Sequence, residues 1–95
     1  MSTLHTISKP PSSELLAQCL TAVSEGDAIL FLEDGVYYCA TDNLALPASD
    51  IAVFGLREDI TARGIQKRVC KNIRAVTMRH FVELCCTHSK IINWF

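Results

Sequence analysis

Short apolar runs separated by polar turns recur along the chain and predict four β-strands. The runs cover residues 3–7, 27–33, 50–56 and 73–78. The second run is hydrophobic almost without interruption, which is typical of a strand covered on both faces, as in a parallel sheet. The fourth run is rich in β-branched residues, which favour strands.

Between these runs the apolar spacing changes to that of helices. A first helix is predicted over residues 13–24, and its apolar stripe consists of Leu15, Leu16, Cys19, Leu20 and Val23. Shorter helical segments are predicted over 34–40 and 58–63, and a last helix over 79–88. Residues 41–49 read as an irregular connection that contains a proline.

Strands that alternate with helices favour a parallel sheet, because parallel neighbours need crossover connections. The chain is therefore predicted to be a three-layer αβα domain of the α/β class with a mainly parallel sheet. With 95 residues it has room for one domain, spanning 1–95. Ligands of such sheets gather beyond the carboxyl ends of the strands, here residues 8–11, 33–38 and 56–59.

Composition narrows the classes of partner. Apolar residues make up 49% of the chain and charged residues 20%, so part of the apolar surface is expected to face another subunit. A net charge of −1 gives no electrostatic support for direct contact with nucleic acid. The sequence has neither a membrane-length apolar run nor a secretory pattern at its start, so we expect a soluble cytoplasmic protein whose five cysteines are thiols.

Familiar cofactor and metal motifs are missing. The chain has no glycine-rich phosphate-binding motif, nucleophile elbow or H-E-x-x-H motif, so no cofactor is expected. His80, Cys85, Cys86 and His88 lie close in sequence. Adjacent residues on a helix point about 100° apart, however, and this does not favour zinc, so no metal is expected.

Cysteine is the remaining candidate chemistry, since a thiolate can accept and pass on sulfur. Cys19 lies on the buried stripe of the first helix, where packing is the competing role. Cys39 has no basic neighbour in sequence, whereas Cys70 lies within Lys67-Arg68-Val69-Cys70-Lys71, where positive charge favours a reactive thiol. Cys85 and Cys86 are interpreted as core or interface packing.

Several stretches, in order along nearly the whole chain, carry a family resemblance. They are Leu4-His5-Thr6, Glu25-Gly26-Asp27, Leu32-Glu33-Asp34-Gly35-Val36, Glu58-Asp59, Ala62-Arg63-Gly64, Phe81-Val82 and Trp94. Together they resemble the TusB/DsrH family. The chain departs from that pattern at Met78-Arg79-His80, so His80 inherits no role.

The resemblance implies a DsrE/DsrF/DsrH-like fold and a place in a hetero-oligomer with two homologous sister subunits. TusB-like complexes pass persulfide sulfur between upstream and downstream carriers toward 2-thiolation of the tRNA wobble uridine, whereas DsrH-like relatives serve intracellular sulfur oxidation. Leu56 stands where the catalytic sister subunit carries its persulfide cysteine. Cys19 matches a first-helix cysteine of DsrH-like relatives, which makes it a candidate persulfide acceptor.

Three readings therefore stand side by side: an accessory subunit of a sulfurtransferase complex, a free-standing persulfide transferase that uses Cys19, and a small-ligand-binding module. The chain ends with two aromatic residues, Trp94 and Phe95. They are candidate interface anchors, because aromatic residues are favoured at interfaces. The alternative is that this tail folds back onto the edge of the sheet.

Overall fold

The computed structural model describes residues 2–41, 44 and 50–95, and most of the predicted irregular connection over 41–49 lies outside them. The described strands are β1 (Thr3–Ile7), β2 (Ala28–Phe31), β3 (Ala52–Leu56), β4 (Arg74–Val76) and β5 (Lys90–Trp94). The α-helices are α1 (Leu15–Leu20), α2 (Arg57–Ala62) and α3 (Met78–Thr87). Short 3₁₀ helices span Pro11–Ser13, Glu33–Ala40 and Gln66–Arg68.

The strands form one sheet in the order β4-β3-β2-β1-β5, and all four described pairings are parallel. β1 lies between β2 and β5, with His5 opposite Ile29 on one side and Ile92 on the other. The predicted α/β class and parallel sheet are confirmed. Because every pairing is parallel, all carboxyl ends of the strands meet at one edge, which we call the carboxyl edge.

Side chains along each strand alternate between two covered faces. The first face contains Ile7, Ile29, Phe31 and Val53, and it packs against α1, the 3₁₀ helix Glu33–Ala40 and Ile60 of α2. The second face contains Leu4, Leu30, Phe54 and Val76. It packs against Phe81, Leu84 and Cys85 of α3. Helices thus cover both faces, as the three-layer prediction requires.

The predicted first helix was too long. Residues Pro11–Ser13 form a 3₁₀ turn, and Glu14 has a left-handed backbone (φ 61°) that separates this turn from α1. Helix α1 then ends at Leu20. The backbone N–H of the next residue, Thr21, donates to the carbonyl oxygens of Gln18 and Cys19. The predicted helical segment over 34–40 is present as 3₁₀ helix, and the last helix is shifted by one residue.

A fifth strand was missing from the sequence prediction. β5 pairs with β1 over its whole length, from Thr3 opposite Lys90 to Ile7 opposite Trp94. The Thr6 hydroxyl also donates a hydrogen bond to the side chain of Asn93. The tail therefore forms an edge strand of the sheet, and only Phe95 extends beyond it, with 84% of its surface exposed.

Gly35 marks the closest backbone approach at the carboxyl edge. Leu32 donates a hydrogen bond from its backbone N–H to the carbonyl of Ile7 (3.1 Å), and Gly35 donates one to Leu32 (2.9 Å). A Cβ atom added at Gly35 would lie 2.0 Å from the Ile7 carbonyl oxygen. Glycine is needed here for space, because any side chain would push the 3₁₀ helix off β1.

We predict that Gly35→Ala destabilises the fold by about 2–4 kcal/mol, because the clash is with backbone that cannot rotate away. Gly64→Ala is the matched control: Gly64 has a positive φ of 65° but nothing within 4 Å of an added Cβ, so its cost should stay near ~1 kcal/mol. Denaturant unfolding compares the two variants. Equal losses would contradict the close approach between Gly35 and Ile7.

Candidate functional site

The carboxyl edge carries several charged side chains whose partners are defined. Asp59 accepts a hydrogen bond from the backbone N–H of Glu33 through Oδ2 at 2.6 Å. Glu33 begins the 3₁₀ helix and has a left-handed backbone with φ 50°. Such a conformation costs a non-glycine residue about 1–2 kcal/mol, so the carboxylate of Asp59 helps to hold the chain in it.

Glu58 likewise accepts a backbone hydrogen bond at the start of α3. Its Oε2 accepts a hydrogen bond from the backbone N–H of Met78 at 3.0 Å, and this bond is the main cause that lowers the pKa of Glu58. The Thr77 hydroxyl accepts a second bond, from the N–H of His80. Free N–H groups at a helix start favour negative charge, so both acceptors stabilise the start of α3.

Arg63 joins the two acidic segments of this edge. Its guanidinium donates to Asp34 Oδ1 from Nε at 3.1 Å and from NH2 at 2.9 Å, and NH1 lies 3.8 Å from Asp59 Oδ1. The pKa of Arg63 is raised, first by the hydrogen bond with Asp34. Asp34, Asp59 and Arg63 are thus engaged with one another, and Glu58 and Asp59 with helix starts. These contacts hold the elements of the edge together.

Leu56, the last residue of β3, lies at this edge. It is 2% exposed and directly precedes α2. A buried hydrocarbon side chain offers no nucleophile. The position that the resemblance assigns to a sulfur carrier in the sister subunit is thus used for packing in this chain.

Cys19 is fully buried on the first face, next to Leu15 and Leu16 of the same helix. Burial, and then the nearby charge of Asp27, raises the pKa of its thiol to about 12. The thiolate is the reactive form, and its fraction at pH 7 is then about 10⁻⁵. In this fold Cys19 is a buried packing residue, and its role as a sulfur acceptor stays a prediction.

The remaining cysteines lie in three different environments. Cys39 is fully buried, Cys70 and Cys85 are partly buried, and Cys86 is exposed. Cys85 packs on the second face. Cys86 is exposed, which excludes core packing within this chain and leaves interface packing as the prediction for this residue. In the described part of the chain no group of three or more His, Cys, Asp or Glu side chains is placed to hold a metal.

Sequence reasoning did not foresee a largely buried series of hydrogen bonds that links β5, β1 and the residue just before β2. The indole N–H of Trp94 donates to His5 Nδ1 at 3.1 Å, and His5 Nε2 lies 3.0 Å from Asp27 Oδ2. Since an indole can only donate, we assign the proton of the ring to Nε2, which donates to Asp27. His5 and Asp27 are 1% and 5% exposed.

Asp27 accepts more than one hydrogen bond in this series. Its carboxylate also accepts the backbone N–H groups of Thr3 at 2.9 Å and Ser24 at 3.0 Å. Burial acts to raise its pKa, but the hydrogen bonds from His5, Thr3 and Ser24 outweigh burial and hold the pKa below its ordinary value. His5 in the middle of a predicted strand was the available signal, because an imidazole that becomes buried needs partners.

Comparison with known proteins gives consistent matches. The family model described as "DsrH like protein" matches residues 9–91. Protein TusB of Buchnera aphidicola subsp. Acyrthosiphon pisum is 31% identical over 94 residues, which cover 96% of this chain and 99% of that protein. Protein TusB of Escherichia coli O81 is 35% identical over 94 residues, which again cover 96% of this chain and 99% of that protein.

Two solved structures share the fold. The ychN protein from E. coli has a TM-score of 0.74 at 11% identity and covers 98% of this chain and 97% of its own. Protein Tm0979 from Thermotoga maritima has a TM-score of 0.69 at 19% identity and covers 87% and 90%. In the described ranges no helix is long and apolar enough to cross a membrane.

We predict that Asp27→Asn destabilises the chain by about 2–4 kcal/mol at pH 7, because an amide cannot accept all the bonds that the buried carboxylate accepts. The lowered pKa adds a pH signature. Asp27 contributes stability above its unfolded pKa of about 3.9, and this contribution is lost as pH falls through the folded pKa. The variant should therefore lose less stability than the unaltered chain on acidification.

The matched control is Asp50→Asn, since Asp50 is an exposed aspartate. Denaturant unfolding of all three proteins at pH 7, 5 and 3 makes the comparison. If Asp27→Asn and the unaltered chain lost the same stability between pH 5 and 3, the carboxylate would not carry the acid sensitivity described above.

Proposed function

Because this chain belongs to the DsrH-like family, we propose that it is an accessory subunit of a sulfur-relay complex that passes persulfide sulfur toward 2-thiolation of the tRNA wobble uridine. The observation that carries the proposal is the match to TusB proteins over 96% of the chain. The complex would contain two homologous sister subunits and work in the cytoplasm. Intracellular sulfur oxidation by a DsrH-like complex is the alternative setting.

The chemistry of the carboxyl edge supports an accessory role over a catalytic one. Leu56 places hydrocarbon where the resemblance assigns a persulfide cysteine to the sister subunit, and the nearby charged groups cap helices. Cys19 is buried with a pKa raised to about 12 by burial and the charge of Asp27. A free-standing transferase that uses Cys19 is accordingly disfavoured, and Cys19 is proposed at most as a secondary acceptor within the complex.

The exposed apolar surface supports assembly. Beyond β5, Phe95 is 84% exposed, and Met78, Val82 and Ile91 are each exposed by 44% or more. Phe95 is the more suitable anchor, since a large exposed aromatic side chain gains most by burial in a partner. Trp94 turns its indole inward to His5. Its part at an interface is to position Phe95.

The cellular test is deletion of the gene for this chain followed by measurement of 2-thiolated wobble uridine in tRNA. We expect the modification to be lost and to return on re-expression of the unaltered chain. Cys19→Ser should restore it as well, because a serine hydroxyl replaces a thiol that the closed fold does not expose. The control is Cys86→Ser, which removes an exposed thiol.

Unchanged thiolation after deletion would refute the tRNA role and leave sulfur oxidation. Failure of Cys19→Ser alone, with the complex intact on copurification, would instead make Cys19 a required sulfur acceptor. Failure of both assembly and thiolation in that variant would show a packing defect. The three results are distinguishable because assembly and thiolation are measured separately.

For the interface we predict that Phe95→Ala weakens assembly with the sister subunits by about fivefold to thirtyfold, as expected for an aromatic anchor worth about 1–2 kcal/mol. The free energy of unfolding of the isolated Phe95→Ala chain should stay unchanged, since Phe95 is almost fully exposed. Trp94→Phe should lower stability by about 1–3 kcal/mol, because His5 Nδ1 loses its donor. Sedimentation of the coexpressed subunits and thermal unfolding measure the two effects. Unweakened assembly with Phe95→Ala would remove Phe95 from the interface.

A further inference from the structure

Two cysteines that are distant in sequence meet beside the first face. Cys39 lies near the end of the 3₁₀ helix Glu33–Ala40, and Cys70 lies in the loop before β4. The backbone N–H of Cys70 donates to the carbonyl oxygen of Cys39 at 2.7 Å. With this bond in place, backbone bond lengths keep the two Cα atoms no more than roughly 6.5 Å apart. Disulfides span Cα separations of about 4.4–6.8 Å, so the pair lies within reach of a disulfide.

The side chains of the pair belong to one cluster. Cys39 is fully buried, and Cys70 packs against the same core group. A Cβ at Gly55 would lie 2.6 Å from the sulfur of Cys39, so the glycine of β3 makes room for this thiol. The Cys70 thiol donates to the carbonyl of Thr41 at 3.4 Å.

The pKa of Cys39 also reflects the nearness of Cys70. The pKa of Cys39 is raised to about 12, first by burial and then by the neighbouring Cys70. The two cysteines also differ in access. Cys70 is partly exposed in a loop, whereas Cys39 is closed off beneath it. An oxidant can therefore reach Cys70 first, and Cys39 can follow only through Cys70.

We propose that Cys39 and Cys70 form a reversible intramolecular disulfide, in which Cys70 reacts with a hydroperoxide and Cys39 resolves the product. The proposal stands on the position of the pair and is independent of the sulfur-relay role. The disulfide would covalently join the loop before β4 to the 3₁₀ helix that follows β2.

The two steps balance. The deprotonated sulfur of Cys70 attacks one oxygen of the hydroperoxide, the O–O bond breaks, and the other oxygen leaves as an alcohol, or as water from hydrogen peroxide, after taking up a proton. Cys70 is then a sulfenic acid. The sulfur of Cys39, after losing its proton, attacks the sulfur of Cys70, and the S–O bond breaks with release of water. Two thiols lose two electrons in all, and one hydroperoxide gains them.

The resolving step should be slow near neutrality. With a pKa of about 12, the reactive fraction of Cys39 rises about tenfold for each pH unit below that value. Close approach in one molecule offsets the small fraction, because well-oriented groups react as if at very high concentration. The sulfenic acid should therefore disappear about tenfold faster at pH 8 than at pH 7. Trapping with dimedone at successive times measures how much of it remains.

The test uses the purified full chain treated with hydrogen peroxide, followed by blocking of free thiols and peptide mapping by mass spectrometry. We expect the blocked thiols to fall from five to three and a cross-link between the peptides of Cys39 and Cys70 that dithiothreitol reverses. Trypsin leaves Cys19 and Cys39 in one peptide, so a second protease that cuts between them is required. Cross-linked chain should also show a higher Tm than reduced chain.

Cys70→Ser should abolish the cross-link, and Cys39→Ala should leave a sulfenic acid at Cys70 that dimedone traps. Cys19→Ser is the matched control, because it alters another buried cysteine and should keep the cross-link. Should Cys39→Ala fold poorly, the map of the unaltered chain decides alone. A sulfenic acid at Cys70 in the unaltered chain that does not convert to the internal cross-link even at pH 8, or disulfides through Cys86 between molecules without the internal cross-link, would overturn the proposal.

Discussion

One buried carboxylate ties together the parts of this fold that are far apart in sequence. Asp27 accepts bonds from β1 through Thr3 and His5 and from the turn before β2 through Ser24. His5 extends the connection to Trp94 of β5. A buried charge is tolerated only when it is fully bonded. The register of β1 against its neighbours is therefore specified by polar contacts as well as by packing, because a slip by one residue would turn His5 away from Asp27.

The carboxyl edge follows the same logic at the surface. Asp59 and Glu58 of α2 accept backbone donors from Glu33 and Met78, so one short helix organises the starts of two other helices. A sheet edge that usually carries catalytic groups is here used for holding elements together. The acidic and arginine residues among the motifs that carried the family resemblance thus have a structural role at this edge, since Glu58, Asp59 and Arg63 all take part in these contacts.

The fold class followed from the sequence because strand and helix periods alternate clearly. Three features did not. Nothing about Glu14, an exposed glutamate, indicates the left-handed backbone that separates the 3₁₀ turn from the first helix. The strand β5 ends with Trp94 and is followed by Phe95, so its sequence fits an exposed anchor equally well, and only pairing with β1 decides. The His5–Asp27 contact joins residues 22 positions apart, and local patterns carry no information at that range.

The candidate sites show the same division between what local sequence can and cannot specify. Spacing placed Cys19 on an apolar helix face, and the structure buries it there. Whether such a thiol can react depends on how readily α1 opens. Helix α1 has six residues and lacks a side-chain hydrogen bond at its N-cap. A cavity of about 220 Å³ lined by Leu16, Leu20 and Tyr38 flanks it. Short helices with few contacts open at lower cost than the core of a sheet. A partner would promote sulfur transfer through Cys19 by binding the open state of α1 more tightly than the closed one, because a ligand shifts an equilibrium only by its difference in affinity for the two states.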